Sequence, residues 1–176
     1  TQQNNKLPFI EEFIGYKYTL VAGSTWKEDE MMLVDYINNK ASENEKFIIA
    51  PHNINPKDII ELKNSISKKV VLFSEKADIN LSNYQVFIID MVGILTKIYS
   101  YATIAYVGGG FTKTGVHNVL EPATFGIPIL IGPNYQKFNE AIDLVKNKAC
   151  FVVDNSKELS LHLDKFFQSN ELRLKT

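Results

Sequence analysis

Seven short apolar runs recur along the chain, each four to six residues long and almost unbroken by polar residues. They are rich in Val, Ile, Leu and Phe, which is typical of strands buried on both faces of a sheet. We predict strands over residues 18–23, 46–51, 70–74, 86–90, 103–108, 128–132 and 150–153.

The segments between most of these runs space their apolar residues at helical intervals. Asn55 and Pro56 supply an N-cap and a first helical position for one of them. Residues 75–85 are polar and irregular instead. We predict helices over residues 27–40, 56–66, 92–101, 117–125, 138–147 and 156–168.

This alternation of strands and helices predicts an α/β fold, a Rossmann-like three-layer α/β/α sandwich with a mostly parallel sheet. Residues 17–176 are assigned to that one domain, which suits the 176-residue length. Residues 1–16 are interpreted as an N-terminal segment or an interdomain linker. Their apolar side chains have no obvious partners within the segment, so we expect the chain to be part of a longer protein.

Charge and composition exclude several classes of function. The net charge is −1, from 19 basic and 20 acidic side chains, and no basic patch appears, so nucleic acid is a poor candidate partner. No apolar run approaches the roughly 18–20 residues of a membrane-spanning helix, and the chain is expected to be soluble. Cys150 is the single cysteine, so no internal disulfide can form, and we interpret it as a buried core residue.

Small and polar residues follow the predicted strands, at the edge where parallel α/β folds bind ligands. Any one of these groups has a plain interpretation as turn chemistry, but their recurrence at one edge favours a binding cleft. The groups are Gly23-Ser24-Thr25, Pro51-His52-Asn53, Asp90 with Val92-Gly93, Gly108-Gly109-Gly110 and Gly132-Pro133-Asn134.

The stretch from residue 107 to residue 128 carries the strongest signal. Its glycines allow a backbone to approach a ligand closely, and a helix is predicted to start near Gly115 to His117. Unpaired N–H groups at such a start favour an anion, and phosphate is the natural guess. Glu121 would lie one turn after His117, where it either stabilises the helix dipole or accepts hydrogen bonds from a ribose. The spacing leaves both interpretations open.

Other chemistries are poorly supported. Val116 and His117 stand where a P-loop has Lys and Ser/Thr, and no G-x-G-x-x-G follows the first strand. The three histidines lack zinc spacing, so no metal site is predicted. His52 and His117 lie at the predicted ligand edge. Each is interpreted either as a ligand contact or as a partner in a structural hydrogen bond.

Two features beside the first strand are also interpreted. Ser24 and Thr25 lack the strand–turn–helix elbow of a hydrolase nucleophile, so they are interpreted as a turn that binds phosphate or backbone. Trp26 is interpreted as a core or interdomain packing residue rather than a stacking platform.

Four blocks together resemble a known family. They are "VAGSTWKEDE", "IAPHNI", "IIDMVGILTKIYSYATIAYVGGGF" and "GVHNVLEPATFGIPILIGPNYQKFNEA". In this order, over residues 19–153, they look like the C-terminal half of bacterial 3-deoxy-D-manno-octulosonic acid (Kdo) transferases, which have the GT-B fold. The Glu-Pro-x-x-x-Gly-x-Pro element alone marks GT-B glycosyltransferases in general.

The resemblance implies a donor-binding domain. Family members use CMP-Kdo as donor, require no metal or other cofactor, and transfer Kdo with inversion to the lipid A precursor in lipopolysaccharide biosynthesis. They act at the cytoplasmic face of the bacterial inner membrane. Their N-terminal domain carries the catalytic base, the membrane anchor and the acceptor site, so no catalytic residue is assigned in this chain, which is expected to bind the donor without turnover.

The resemblance also implies roles for individual positions. Nucleotide contacts are expected from Pro51 and His52, from Val92, Gly93 and Ile94 at the cytosine and phosphate, and from Asn118, Val119, Leu120 and Glu121 at the phosphate and ribose. A loop facing the cleft is expected from Gly23, Ser24 and Thr25, and the remaining candidates are Gly109, Gly110 and His117.

Two departures from the family pattern affect the donor contacts. Many members have Pro-Arg-His where this chain has Pro51-His52-Asn53, and a neutral His binds phosphate more weakly than Arg. Many have a Glu at the position of Ile94. A GT-B transferase or epimerase that uses a UDP-sugar, and a non-catalytic nucleotide- or partner-binding module, stay open as alternatives.

Overall fold

The fold is organised around a parallel sheet. The computed structural model describes residues 6–176 of the chain. Its strands are β1 (Tyr18–Thr25), β2 (Glu45–Pro51), β3 (Val70–Leu72), β4 (Val86–Ile88), β5 (Ile104–Val107), β6 (Ile129–Ile131) and β7 (Cys150–Val152). Within the described residues these seven strands form one sheet in the order β3-β4-β2-β1-β5-β6-β7, and each neighbouring pair is parallel.

Helices connect the strands. They are α1 (Pro8–Ile14), α2 (Lys27–Asn39), α3 (Pro56–Ser65), α4 (Leu95–Tyr99), α5 (Leu120–Ala123), α6 (Asn139–Lys146), α7 (Ser156–Gln168) and α8 (Asn170–Leu174). Between β3 and β4 the chain forms two short 3₁₀ turns, Phe73–Glu75 and Leu81–Asn83. Among residues 6–176, no helix is both long and apolar enough to cross a lipid bilayer.

The two faces of the sheet are covered by different helices, which makes three layers. Alternate strand residues point to opposite faces, so Leu20 and Ala22 lie in one core and Val21 in the other. The first core is closed by α2, α3 and α7, and the second by α1, α4 and α6. Cys150 is buried in the second core, and burial raises the pKa of its thiol to about 12. The predicted sandwich and the core position of the cysteine are confirmed.

Two predicted helices are wrong in extent. The helix predicted over residues 92–101 is α4, of five residues, and the one predicted over 117–125 is α5, of four. The second begins at Leu120 because the backbone upstream bonds across the loop. Val116 donates its N–H to the carbonyl of Asn134, and His117 donates to the carbonyl of Gly108. These N–H groups are therefore not the unpaired groups of a helix start.

Helix α1 packs on the domain that follows it. Ile10 and Phe13 are fully buried, and the Phe13 ring lies 5.2 Å from the ring of Phe87 in β4. The side chain of Glu12 accepts a hydrogen bond from the backbone N–H of Leu81 at 2.9 Å. The described part of segment 1–16 thus covers one face of the sheet. Residues 1–5 lie outside the described residues, and the division between 1–16 and 17–176 stays a prediction.

The packing of α1 predicts the effect of Phe13→Ala. The substitution removes a fully buried ring that also lies under the ammonium group of Lys46, 4.7 Å from the ring centroid. We expect a loss of about 3–5 kcal/mol in the free energy of unfolding, measured by urea denaturation. Tyr16→Ala is the matched control, because Tyr16 follows the same helix and is fully exposed, and its effect should stay within about 0.5 kcal/mol. Similar losses for both variants would contradict the packing of α1.

Candidate functional site

A crevice is expected where the chain changes direction in the sheet. The chain runs from β1 to β2 on one side and later returns to β5 on the other side of β1. The loops after β1 and β5 therefore diverge at the carboxyl ends of the strands, where open α/β sheets bind ligands. Gly23–Thr25 and Gly108–Gly110 lie at this switch point.

The carboxyl end of β1 has a strained backbone. Ser24 has φ +53°, in the left-handed region that non-glycine residues seldom occupy, and the pairing register shifts between Gly23 and Thr25. A Cβ on Gly23 would lie 2.1 Å from the hydroxyl oxygen of Tyr99, so this glycine is covered by α4. The backbone at Ser24 is therefore unusual, but the neighbouring Gly23 packs against the protein.

The side chain of Thr25 is closed to a ligand. It is 2% exposed, and its hydroxyl donates to Oε1 of Glu30 at 2.9 Å. The hydroxyl therefore holds the first turn of α2, and the expectation that the loop of Gly23, Ser24 and Thr25 faces a bound ligand stays a prediction.

A buried carboxylate, Asp29, joins this turn to the end of β5. Its Oδ2 accepts hydrogen bonds from the backbone N–H groups of Trp26 at 2.8 Å and Gly109 at 3.0 Å. Its Oδ1 accepts from the hydroxyl of Tyr106. Burial raises the pKa of Asp29, while these hydrogen bonds act in the opposite direction. The sequence analysis missed this residue, although a carboxylate at the third helical position is a helix-start signal.

Glycines let the loops after β1, β5 and β6 meet backbone to backbone. A Cβ on Gly108 would lie 2.3 Å from the carbonyl oxygen of Ser24. A Cβ on Gly110 would lie 2.5 Å from Cα of Gly132. No side chain fits at either position, so the glycines of the predicted site are required first for the approach of the loops.

Three aromatic rings meet at the crevice. The indole Nε1–H of Trp26 donates to Nε2 of His117 at 3.0 Å, and the two ring planes differ by 8°. The ring of His52 stacks on both, with centroid distances of 4.8 Å to Trp26 and 4.4 Å to His117. Trp26 therefore packs against two candidate site residues and is only partly buried, so it is not a core residue, and a stacking role towards a ligand stays untested.

Glu121 lies in the first turn of α5, and His117 lies before the helix, so the predicted common helical face is wrong. The carboxylate is held from two sides. Oε2 accepts from the hydroxyl of Thr96 in α4 at 2.9 Å, and Oε1 accepts from the amide of Asn118 at 3.1 Å. Asn118 in turn accepts from the backbone N–H of Leu120 at 3.0 Å. Thr96 is a further functional candidate, and nothing in its sequence context singled it out.

The remaining predicted residues differ in accessibility. Val92 and Gly93 are exposed in the loop before α4, and Gly93 has φ +98°. Leu120 is half exposed, whereas Val119 is buried and contributes its side chain to the core. Because α4 contacts both β1 and α5, this loop adjoins the same crevice.

A cavity of about 610 Å³ opens between α2 and α3. Of the predicted residues its lining includes Thr25 and Pro51, and none from 92–94 or 109–121. The lining also includes Trp26, so this cavity adjoins the switch point on the side of β2. Among residues 6–176, no group of three or more His, Cys, Asp or Glu side chains is arranged to hold a metal ion.

Sequence comparison points to one family of enzymes. Over 164 residues, 89% of this chain, it is 34% identical to the 3-deoxy-D-manno-octulosonic acid transferase of Rickettsia prowazekii. Over 116 residues, 65% of this chain, it is 38% identical to the enzyme of the same name from Aquifex aeolicus. The chain is a relative of the Kdo transferases. The matched regions cover 35% and 31% of those proteins, so the chain spans about a third of the length of these relatives.

A solved structure supports the fold of this Kdo transferase relative. The C-terminal CMP-Kdo binding domain of WaaA from Acinetobacter baumannii superposes with a TM-score of 0.73 over 90% of this chain and 83% of that one, at 20% identity. The fold is therefore that of the C-terminal half of a GT-B glycosyltransferase. No protein-family model matches the chain.

Substitution of Asp29 tests its role in joining the two loops. Asp29→Ala leaves two backbone N–H groups and the hydroxyl of Tyr106 without their partner, and we expect a loss of at least about 3 kcal/mol in unfolding free energy. Asp29→Asn should cost only about 1 kcal/mol, because its amide oxygen can accept from the N–H groups while its NH₂ donates to the tyrosine oxygen.

The pH dependence of the same variants gives a second check. The raised pKa of Asp29 means that the parent loses stability as pH rises from the ordinary carboxyl range towards the raised value. The stability gap between the parent and Asp29→Asn should narrow over that interval in urea denaturation. Equal losses for Asn and Ala, or a gap that widens with pH, would contradict the assignment.

Proposed function

We propose that this chain is the nucleotide-binding part of a Kdo transferase and holds the CMP portion of CMP-Kdo. The observation that carries the proposal is the carboxylate of Glu121, fixed by Thr96 and Asn118 beside the glycine turns of the switch point. A carboxylate held in one orientation accepts hydrogen bonds from the two hydroxyls of a ribose without first losing side-chain freedom. Relatedness to the Kdo transferases supports the choice of donor.

The proposed nucleotide contacts divide by chemistry. Glu121 accepts from the ribose hydroxyls, and the exposed apolar side chains of Val92 and Leu120 flank the base together with Gly93 and Ile94. The phosphate lies beside the imidazole of His117, next to the loop of Gly109 and Gly110. The four-residue helix α5 is too short for its dipole to be the main attraction.

His52 and Pro51 complete the proposed site from the end of β2. His52 anchors its backbone N–H on the carbonyl of Thr25 at 2.9 Å, and its exposed ring reaches the crevice. An imidazole contributes less to phosphate affinity than the permanently charged, bidentate guanidinium of Arg would. The donor affinity of this protein therefore depends more on the hydrogen bonds of its loops.

The activity of the complete protein is part of the same proposal. It transfers Kdo with inversion from CMP-Kdo to a lipid A precursor in lipopolysaccharide biosynthesis, without a metal, at the cytoplasmic face of the inner membrane. Inverting transfer requires a general base within reach of the acceptor hydroxyl. That base belongs to the N-terminal half of the enzyme, so this chain binds donor nucleotide and does not transfer sugar alone.

Calorimetric titration with CMP and with UMP tests the proposal. We expect CMP to bind more tightly than UMP, and Glu121→Ala to weaken CMP about tenfold or more, because hydrogen bonds to a charged group are lost. Glu140→Ala is the matched control, since Glu140 is an exposed carboxylate in the first turn of α6 and should leave affinity unchanged.

Each alternative outcome has a definite meaning. Preference for UMP would replace the proposal with a transferase or epimerase that uses a UDP-sugar. An equal effect of the Glu121 and Glu140 substitutions would remove Glu121 from the ribose contact. Absence of binding by either nucleotide would overturn the assignment of this chain as a donor-binding unit.

A further inference from the structure

The hydrogen bond between Trp26 and His117 defines where the imidazole carries its proton. The indole nitrogen is only a donor, so Nε2 of His117 must be the acceptor at 3.0 Å. The ring planes are parallel within 8°, and His52 stacks on both rings, which is the arrangement expected when the indole N–H approaches Nε2 in the plane of the imidazole. A neutral histidine whose Nε2 accepts carries its proton on Nδ1.

We propose that Trp26 is a positioning residue that fixes His117 in its neutral Nδ1–H tautomer, so that Nδ1–H donates to the phosphate of the bound nucleotide. The choice of ligand rests on the proposed function, whereas the tautomer is a property of the chain without ligand. Among the described residues none accepts a hydrogen bond from Nδ1 of His117, and none of their buried side-chain nitrogens lacks a partner. This nitrogen is therefore open to the crevice and free to serve as a donor.

The surroundings of His117 hold the ring in this orientation. Its backbone N–H donates to the carbonyl of Gly108 at 3.0 Å, which fixes the start of the side chain. Gly109 lies against the ring edge, where an added Cβ would be 2.7 Å from Cδ2 of His117. The ring of His52 covers the hydrogen-bonded pair at 4.4 Å and 4.8 Å. A flip of the imidazole would break the indole bond.

The neutral state is also supported by the groups that face the ring. Burial and the neighbouring His52 lower the pKa of His117, and the nearby carboxylate of Asp29 acts in the opposite direction. The Trp26 N–H adds to the preference for the neutral form, because an imidazolium has no lone pair on Nε2 to accept it. At pH 8 the ring is then a neutral, oriented donor.

The chain offers a sharp test because Trp26 is its single tryptophan. Growth on benzothienylalanine, in which sulfur replaces the ring N–H, changes only this residue and keeps its shape. Nitrogen NMR of the histidine rings at pH 8 in the ligand-free chain reports the tautomer of His117, and calorimetry reports CMP affinity. Trp26→Phe is the second variant, and its amide spectrum shows whether the fold is retained.

We expect His117 of the parent to be protonated on Nδ1, with a through-bond coupling between the indole and imidazole nitrogens. In the sulfur analogue the proton should move towards Nε2, the pKa of His117 should rise, and CMP affinity should fall about fivefold, as expected for one oriented hydrogen bond. His52→Phe is the matched control, since a flat ring is kept over the pair and the tautomer of His117 should not change.

Three results would overturn the inference. If His117 of the unsubstituted protein is protonated on Nε2 at pH 8, the Nδ1–H tautomer is excluded directly. If the parent and the sulfur analogue bind CMP with equal affinity, Trp26 has no positioning role, while the proposed function stands. A parent that binds no CMP at all overturns both, because the ligand-facing part of the inference needs a bound nucleotide.

Discussion

The site depends on one buried carboxylate. Asp29 accepts hydrogen bonds from the N–H groups of Trp26 and Gly109 and from the hydroxyl of Tyr106, and these groups come from the first turn of α2, the loop after β5 and the strand β5 itself. It thereby sets the distance between the two sides of the switch point. The orientation of Trp26, and through it of His117, follows from the same contact. The arrangement of the loops at this edge therefore depends on a carboxylate whose cost of burial is offset by hydrogen bonds from both loops.

The architecture could be predicted from the sequence. Buried strands appear as unbroken apolar runs, and helices appear as apolar residues at helical spacing. These patterns reflect burial, so they located the sheet and its layers. They failed at α5, where the N–H groups of Val116 and His117 bond to distant carbonyls and delay the helix to Leu120. A pairing between residues 18 positions apart, such as Val116 with Asn134, leaves no periodic signal.

Side-chain roles at the site were predictable only in part. The ribose role of Glu121 stays a prediction, and its partner Thr96 could not be predicted because it belongs to another helix and contacts Glu121 only in the folded chain. The hydrogen bond from the hydroxyl of Thr25 to Glu30 was missed, because neither residue has a sequence signal that pairs it with the other. Trp26 was misjudged because a large apolar ring is usually core. Here the indole N–H, which donates to His117, determines where the ring lies.

The position of the Trp26 indole makes it an intrinsic fluorescent probe. Since the chain has one tryptophan, its tryptophan fluorescence comes from a single known place, beside His52 and His117. Any ligand that changes the polarity around these rings, or disturbs the bond from the indole nitrogen, alters the emission of this one fluorophore. Occupancy and loop rearrangement can therefore be followed in real time on the unlabelled chain, without a substitution that disturbs the site.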